Sequence, residues 1–151
     1  MRVSVIGGSR IETSTYETAV AVGRLLGERG HTVVCGGLGG VMEAVCRGAA
    51  AKDAETIGIL PGSDRTEANE WVTTPIETGL GNARNVLVVA NGDAVIAIDG
   101  AAGTLSELGH ALDLGRPVAG LDTHEIELDG FEAVETPSEA IRYIENAVSR
   151  S

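Results

Sequence analysis

Apolar residues along this chain arrive in two alternating rhythms. Short continuous runs give way to stretches where they recur every three or four residues. The first rhythm fits strands buried on both faces, and the second fits amphipathic helices packed against them. Arg2-Val3-Ser4-Val5-Ile6 reads as the first strand. Ser14-Thr15-Tyr16-Glu17 has the Ser-x-x-Glu form of a capping box. The helix it opens carries Ala19, Val22, Leu25 and Leu26 on one face and ends near Gly30. His31 to Cys35 is a second strand, Val41 to about Ala51 a second helix, and Glu55 to Leu60 a third strand.

From Pro61 to Glu70 every periodicity breaks, which predicts a long loop of the kind that forms lids or binding loops. Trp71 to Ile76 can form a short strand. Gly81-Asn82-Ala83-Arg84-Asn85 opens a helix through Val86, Val89 and Ala90. Ala94 to Ile98 is the next strand, followed by a helix carrying Leu108, Ala111 and Leu112, and Pro117 to Leu121 is another strand. Thr136-Pro137-Ser138-Glu139 caps a last helix to about Val148, with proline at its favoured first position. Residues 122–135 carry no clear signal. Strands and helices alternating at this spacing predict one Rossmann-like domain over residues 1–151. Its fold class is α/β, a doubly wound, mostly parallel sheet with helices on both faces.

In such a sheet, ligands sit beyond the carboxyl ends of the strands, where strand order reverses. The chain places glycines there. Gly7-Gly8-Ser9 follows the first strand, Gly36-Gly37-Leu38-Gly39-Gly40-Val41-Met42 the second, and Gly100-Ala101-Ala102-Gly103-Thr104 the strand ending at Ile98. A small-residue turn entering a helix exposes unpaired N–H groups to an anion, and the helix dipole favours the charge. The three turns therefore predict a nucleotide-sized, phosphate-bearing ligand. The G-x-G-x-x-G fingerprint of dinucleotide-binding dehydrogenases is absent after the first strand.

Composition narrows the classes further. Hydrophobic residues make up 43% of the chain and aromatics only 3%, so the core is Val, Ile, Leu and Ala. The net charge of −11 argues against nucleic-acid backbone binding, which needs a basic face. Lys52 is the sole lysine beside ten arginines, a surface resembling that of halophilic proteins; an ordinary acidic cytosolic protein is the alternative. Cys35 and Cys46 match no zinc spacing and read as small buried thiols. His31, His110 and His124 are scattered, so no metal cluster is expected. A strand at the very start leaves no room for a signal peptide, and no apolar run approaches a membrane span. A cytoplasmic location is expected.

Three ordered motifs resemble the LOG (Lonely Guy) superfamily. They are Gly36-Gly37-Leu38-Gly39-Gly40-Val41-Met42, Thr78-Gly79-Leu80-Gly81-Asn82-Ala83-Arg84-Asn85 and Gly100-Ala101-Ala102-Gly103-Thr104-Leu105-Ser106-Glu107. The second is closer to a short prokaryotic branch that includes molybdenum-cofactor carrier proteins. The resemblance implies either of two functions. One is a nucleoside 5′-monophosphate phosphoribohydrolase, releasing free base and ribose 5-phosphate with no required cofactor. The other is a binding or carrier protein that uses the same crevice without turnover, for a nucleotide, a signalling phosphate or a molybdopterin-type cofactor as cargo. It implies Arg84 and Glu107 as catalytic residues and a homodimer. Asn85 stands where the cytokinin-activating enzymes have lysine, Asp99 where they have proline and Ala101 where they have glycine; these departures favour binding without turnover, while Glu107 with Arg84 favours catalysis.

The residues have bland readings too. Thr104-Leu105-Ser106-Glu107 is itself a capping-box sequence, so Glu107 either reaches back to the Thr104 N–H or faces the ribose of a ligand. Arg84 is either a surface arginine or a cation held at a helix start to meet an anion. Gly7, Gly8, Ser9, Gly36, Gly37, Gly39, Gly40, Met42, Asn85, Gly100, Gly103 and Thr104 complete the expected phosphate and nucleotide site. A structural subunit with an empty crevice would not need so many glycines at strand ends.

Overall fold

A computed structural model describes residues 1–151. Seven strands form one sheet: β1 (Arg2–Gly7), β2 (Thr32–Cys35), β3 (Thr56–Leu60), β4 (Thr74–Glu77), β5 (Ala94–Ile98), β6 (Val118–Leu121) and β7 (Phe131–Val134). All are parallel, in the order β4-β3-β2-β1-β5-β6-β7. Helices α1 (Thr13–Glu28), α2 (Val41–Ala50) and α5 (Pro137–Ser149) cover one face; α3 (Asn85–Ala90) and α4 (Ala102–Asp113) cover the other. Each face has its own apolar core, and β3 and β5 are buried along their whole length. That double coverage is why these strands read as unbroken apolar runs.

Some local expectations change. The Ser14 capping box does not form. The α1 N-cap is Glu12, without a side-chain bond, so Ser14 lies inside the first turn and its carbonyl instead accepts from the Thr18 hydroxyl at 3.1 Å. The short strand after the long loop is Thr74–Glu77; Trp71 precedes it, and its carbonyl accepts from the Thr56 hydroxyl at 2.6 Å. A 3-10 turn at Arg65–Glu67 punctuates the long loop, and another at Gly81–Arg84 leads into α3. The edge strand β7 lies in the segment without sequence signal. Thr136 does cap α5: its hydroxyl accepts from the Glu139 N–H at 3.2 Å, and the Glu139 carboxylate accepts from the Glu135 N–H at 2.8 Å.

Helices α1 and α2 cross in backbone contact. A Cβ on Gly23 would stand 2.1 Å from the Val45 carbonyl oxygen, and one on Gly48 would stand 2.1 Å from that of Val20. No side-chain rotation relieves a clash with backbone. Gly23→Ala should therefore destabilise the protein by about 1–3 kcal/mol or more. Gly109, in the exposed face of α4 with nothing near its Cβ position, gives the opposite expectation. Gly109→Ala should stabilise by about 0.5–1 kcal/mol through backbone entropy. Urea midpoints of the two variants check both signs.

Candidate functional site

Strand order reverses between β1 and β5, and a cavity of about 270 Å³ opens at their carboxyl ends. Gly7, Gly8 and Ser9 form one wall and the first turn of α4 another, through Ala101, Gly103 and Thr104. The main-chain N–H groups of Gly8 and Ser9 donate to no group of the protein. The first N–H groups of α4 have no partner within the helix either. Two sets of free donors thus border one hollow, the arrangement that takes a phosphate.

Two glycines make that approach possible. A Cβ on Gly7 would lie 2.2 Å from the Ile98 carbonyl oxygen and 2.8 Å from Val41 Cγ2. Gly100 has φ +117°, and its Cβ would lie 2.4 Å from Thr104 Oγ1. Gly36 and Met42 also line the cavity. Gly37, Gly39, Gly40 and Gly100 stand behind it and shape the turns. Gly37 packs on Gly58 and Leu60, while Gly39 and Gly40 lie against Ser9. The Val41 N–H donates to the Gly8 carbonyl at 3.0 Å, fastening the first two turns together.

Arg84 is 6% exposed, far from a surface arginine. Its Nε donates to the Ile59 carbonyl at 2.8 Å and an Nη to the Gly36 carbonyl at 3.4 Å, while the other Nη donates to the Asn85 side chain. Burial holds its pKa below the ordinary arginine value, and Glu107 opposes that shift. The charge faces the cavity, but most of the donors are committed to the frame.

Glu107 is half-buried and also lines the cavity. It does not act as a helix cap. The N-cap of α4 is Ala101, so Thr104 is already inside the first turn and the capping box has no helix start to close. Burial raises the Glu107 carboxyl from 4.5 to about 7, against the pull of Arg84, with which it forms no ion pair. At neutral pH the group is poised between acid and carboxylate.

Asn82 and Leu38 line the cavity without having been expected there. Asn82 lies in the motif before Arg84, and position alone did not separate it from its neighbours. Asn69 pins the turn after β2, its side chain donating to the Leu38 carbonyl at 2.9 Å. Arg65 stays on the surface, paired with Glu77. Cys35 and Cys46 are free, buried thiols with Sγ atoms 3.5 Å apart.

The SLOG cluster4 profile matches residues 1–149. The chain belongs to the SLOG cluster4 family. An uncharacterized protein of Archaeoglobus fulgidus is 41% identical over 143 residues, 95% of this chain and 93% of that one. The molybdenum cofactor binding protein of the phototrophic bacterium Rippkaea orientalis superposes with a TM-score of 0.91 at 30% identity, over 97% of this chain and 96% of that one. The molybdenum cofactor carrier protein of Chlamydomonas reinhardtii does so with a TM-score of 0.91 at 25% identity, over 98% of both chains. This member of the SLOG cluster4 family is thus similar in fold to a molybdenum cofactor binding protein and a molybdenum cofactor carrier protein. The superfamily and the α/β fold expected from the motifs hold.

The raised Glu107 carboxyl fixes the sign of a pH effect. Between 4.5 and about 7 the folded chain holds a proton there that the unfolded chain releases. The contribution to stability is complete below 4.5 and is lost as pH rises through about 7. Glu107→Gln should remove that part of the slope, as read from urea unfolding at pH 5.5 and 8 in wild type and variant.

Proposed function

We propose that this chain binds a phosphorylated pterin of the molybdenum-cofactor type in the β1–β5 crevice and holds it without turnover. The observation that carries this reading is the condition of the two ionisable groups beside the free N–H donors. Arg84 supplies a fixed positive charge but few free donors, because carbonyls and Asn85 engage them. Glu107, raised to about 7, donates a hydrogen bond to a phosphate oxygen when protonated instead of repelling it. Both groups serve retention of an anion. The solved relatives named for this cofactor support the same choice of cargo.

The fit is chemical. The α4 N-terminus and the Gly8–Ser9 turn take the phosphate, and the open space at Gly103, where a Cβ would touch nothing, leaves room for the rest of the ligand. One observation favours hydrolysis of nucleoside 5′-monophosphates as a second reading. A carboxyl with a pKa of about 7 facing a ligand is suited to general acid–base work at a glycosidic bond. Cleavage also needs an ionised carboxylate against the developing oxocarbenium charge, and Glu107 is the one carboxylate lining the cavity.

The deciding experiment loads the purified protein with cofactor from a molybdoenzyme extract, separates unbound material, and measures pterin fluorescence after oxidation. Retained pterin, with nucleoside 5′-monophosphates returned intact by chromatography, is the expected result. Release of free base that vanishes in Glu107→Ala would overturn the carrier reading in favour of the hydrolase.

The chain also forms a homodimer in this proposal, through the outer face of α3 and α4. Val86 is 38% exposed, Leu87 36% and Leu105 48%, next to Leu80 at 54%. Light scattering should give the mass of two chains, and Leu105→Glu should shift it toward one.

A further inference from the structure

Beside the crevice lies a second hollow of about 520 Å³, lined by Arg10, Ile11, Glu12, Thr15 and Asp99. The two share a wall at Gly8. Gly8 lines the crevice, while Asp99 Oδ2 lies 3.1 Å from the point where a Cβ on Gly8 would stand. Asp99 directly follows β5 with φ +56°, anchored by its main chain: its N–H donates to the Leu121 carbonyl at 3.2 Å, and its carbonyl accepts from the Thr123 hydroxyl at 2.7 Å. Its carboxylate accepts no hydrogen bond, and neither it nor Arg10 belongs to any of the ion pairs. The Glu12 carboxylate, in the same hollow, also makes no ion pair, so none of the hollow's three charged side chains is committed to the fold.

We propose that Asp99 and Arg10 form a ring-recognition subsite for a heterocycle with a 2-amino-4-oxopyrimidine edge, the edge shared by pterins and guanine. The proposal rests on the phosphate-crevice reading and extends it to the other end of the ligand. That edge presents an amino N–H and a ring N–H side by side, next to a carbonyl oxygen. A carboxylate accepts from both N–H groups, and a guanidinium donates to the carbonyl or stacks on the ring. Ile11 gives the ring an apolar contact. Adenine presents an unprotonated ring nitrogen there and meets the Asp99 carboxylate with a lone pair. A second phosphate is disfavoured, since Asp99 and Glu12 outnumber Arg10 in the hollow.

Calorimetric titration with GMP, IMP, AMP, neopterin monophosphate and ribose 5-phosphate tests this, on wild type and Asp99→Asn. Asparagine adopts positive φ readily, so the variant keeps the turn while losing the charge and one acceptor. GMP and neopterin monophosphate should bind wild type about tenfold more tightly than IMP, which lacks the amino group, and AMP should bind more weakly still. Asp99→Asn should lower the GMP and neopterin affinities to about the IMP level and leave ribose 5-phosphate unchanged. The ratio of neopterin monophosphate to GMP then says which of the two heterocycles the hollow prefers, and a preference for either supports the subsite. Equal binding of GMP and IMP by wild type, or a GMP-to-IMP ratio unaltered in Asp99→Asn, overturns it. If ribose 5-phosphate binds while the rings are not distinguished, only the subsite falls; if nothing phosphorylated binds, the crevice reading falls with it.

Discussion

Right-handed crossovers force a gap between β1 and β5, and the site depends on that constraint. From β1 the chain moves through α1 to β2 on one side; from β5 it moves through α4 to β6 on the other. Keeping both connections right-handed puts α1 and α4 on opposite faces of the sheet. Neither helix can then cover the carboxyl ends of the two central strands. Gly7 lets the chain leave β1 hard against the Ile98 carbonyl, so the gap is narrow enough for donors from both strands' turns to meet one anion.

A narrow gap also sets the electrostatics. The chain carries a net charge of −11, yet the inner end of the crevice holds a buried guanidinium. Arg84 is stabilised there by the carbonyls of Gly36, just after β2, and Ile59, in β3. Those bonds compensate the loss of water that burial imposes on the cation. Glu107 is the counterpart. It is near enough to feel Arg84 but makes no ion pair, and desolvation outweighs the attraction. In the proposed function, an arriving phosphate would complete a charge arrangement that the protein alone leaves unbalanced.

The buried strands and the glycine turns were legible in the sequence because period and composition coincide there. Residues 131–134 were not, since β7 is an edge strand whose exposed Glu132 breaks the apolar run and whose only strand partner is β6. The capping boxes at Ser14 and Thr104 misled for a common reason. Each helix begins before the motif, at Thr13 and Ala102, so the Ser-x-x-Glu or Thr-x-x-Glu spacing falls inside it. Helix starts depend on the turn that precedes them, and after a strand the sheet fixes that turn. Arg84 was legible as a charge out of place at a helix start. Its carbonyl partners were not, because they come from strands far away in the chain.

Asn85 links the local chemistry to the choice between holding and cleaving. Its side-chain oxygen accepts from Arg84 and helps fix the guanidinium to the frame. Lysine, which the resembling enzymes carry at this position, has no acceptor to offer. It would free an Arg84 donor toward the ligand and add a second cation beside it. With Asn85 the crevice keeps one immobile positive charge, with donors largely engaged by the protein and a carboxyl poised near neutrality. In the proposed carrier, such a site would hold a bound anion in its ground state. For catalysis, Glu107 is the one carboxyl in the crevice left to strengthen its interaction as a glycosidic bond breaks, the difference that rate acceleration requires.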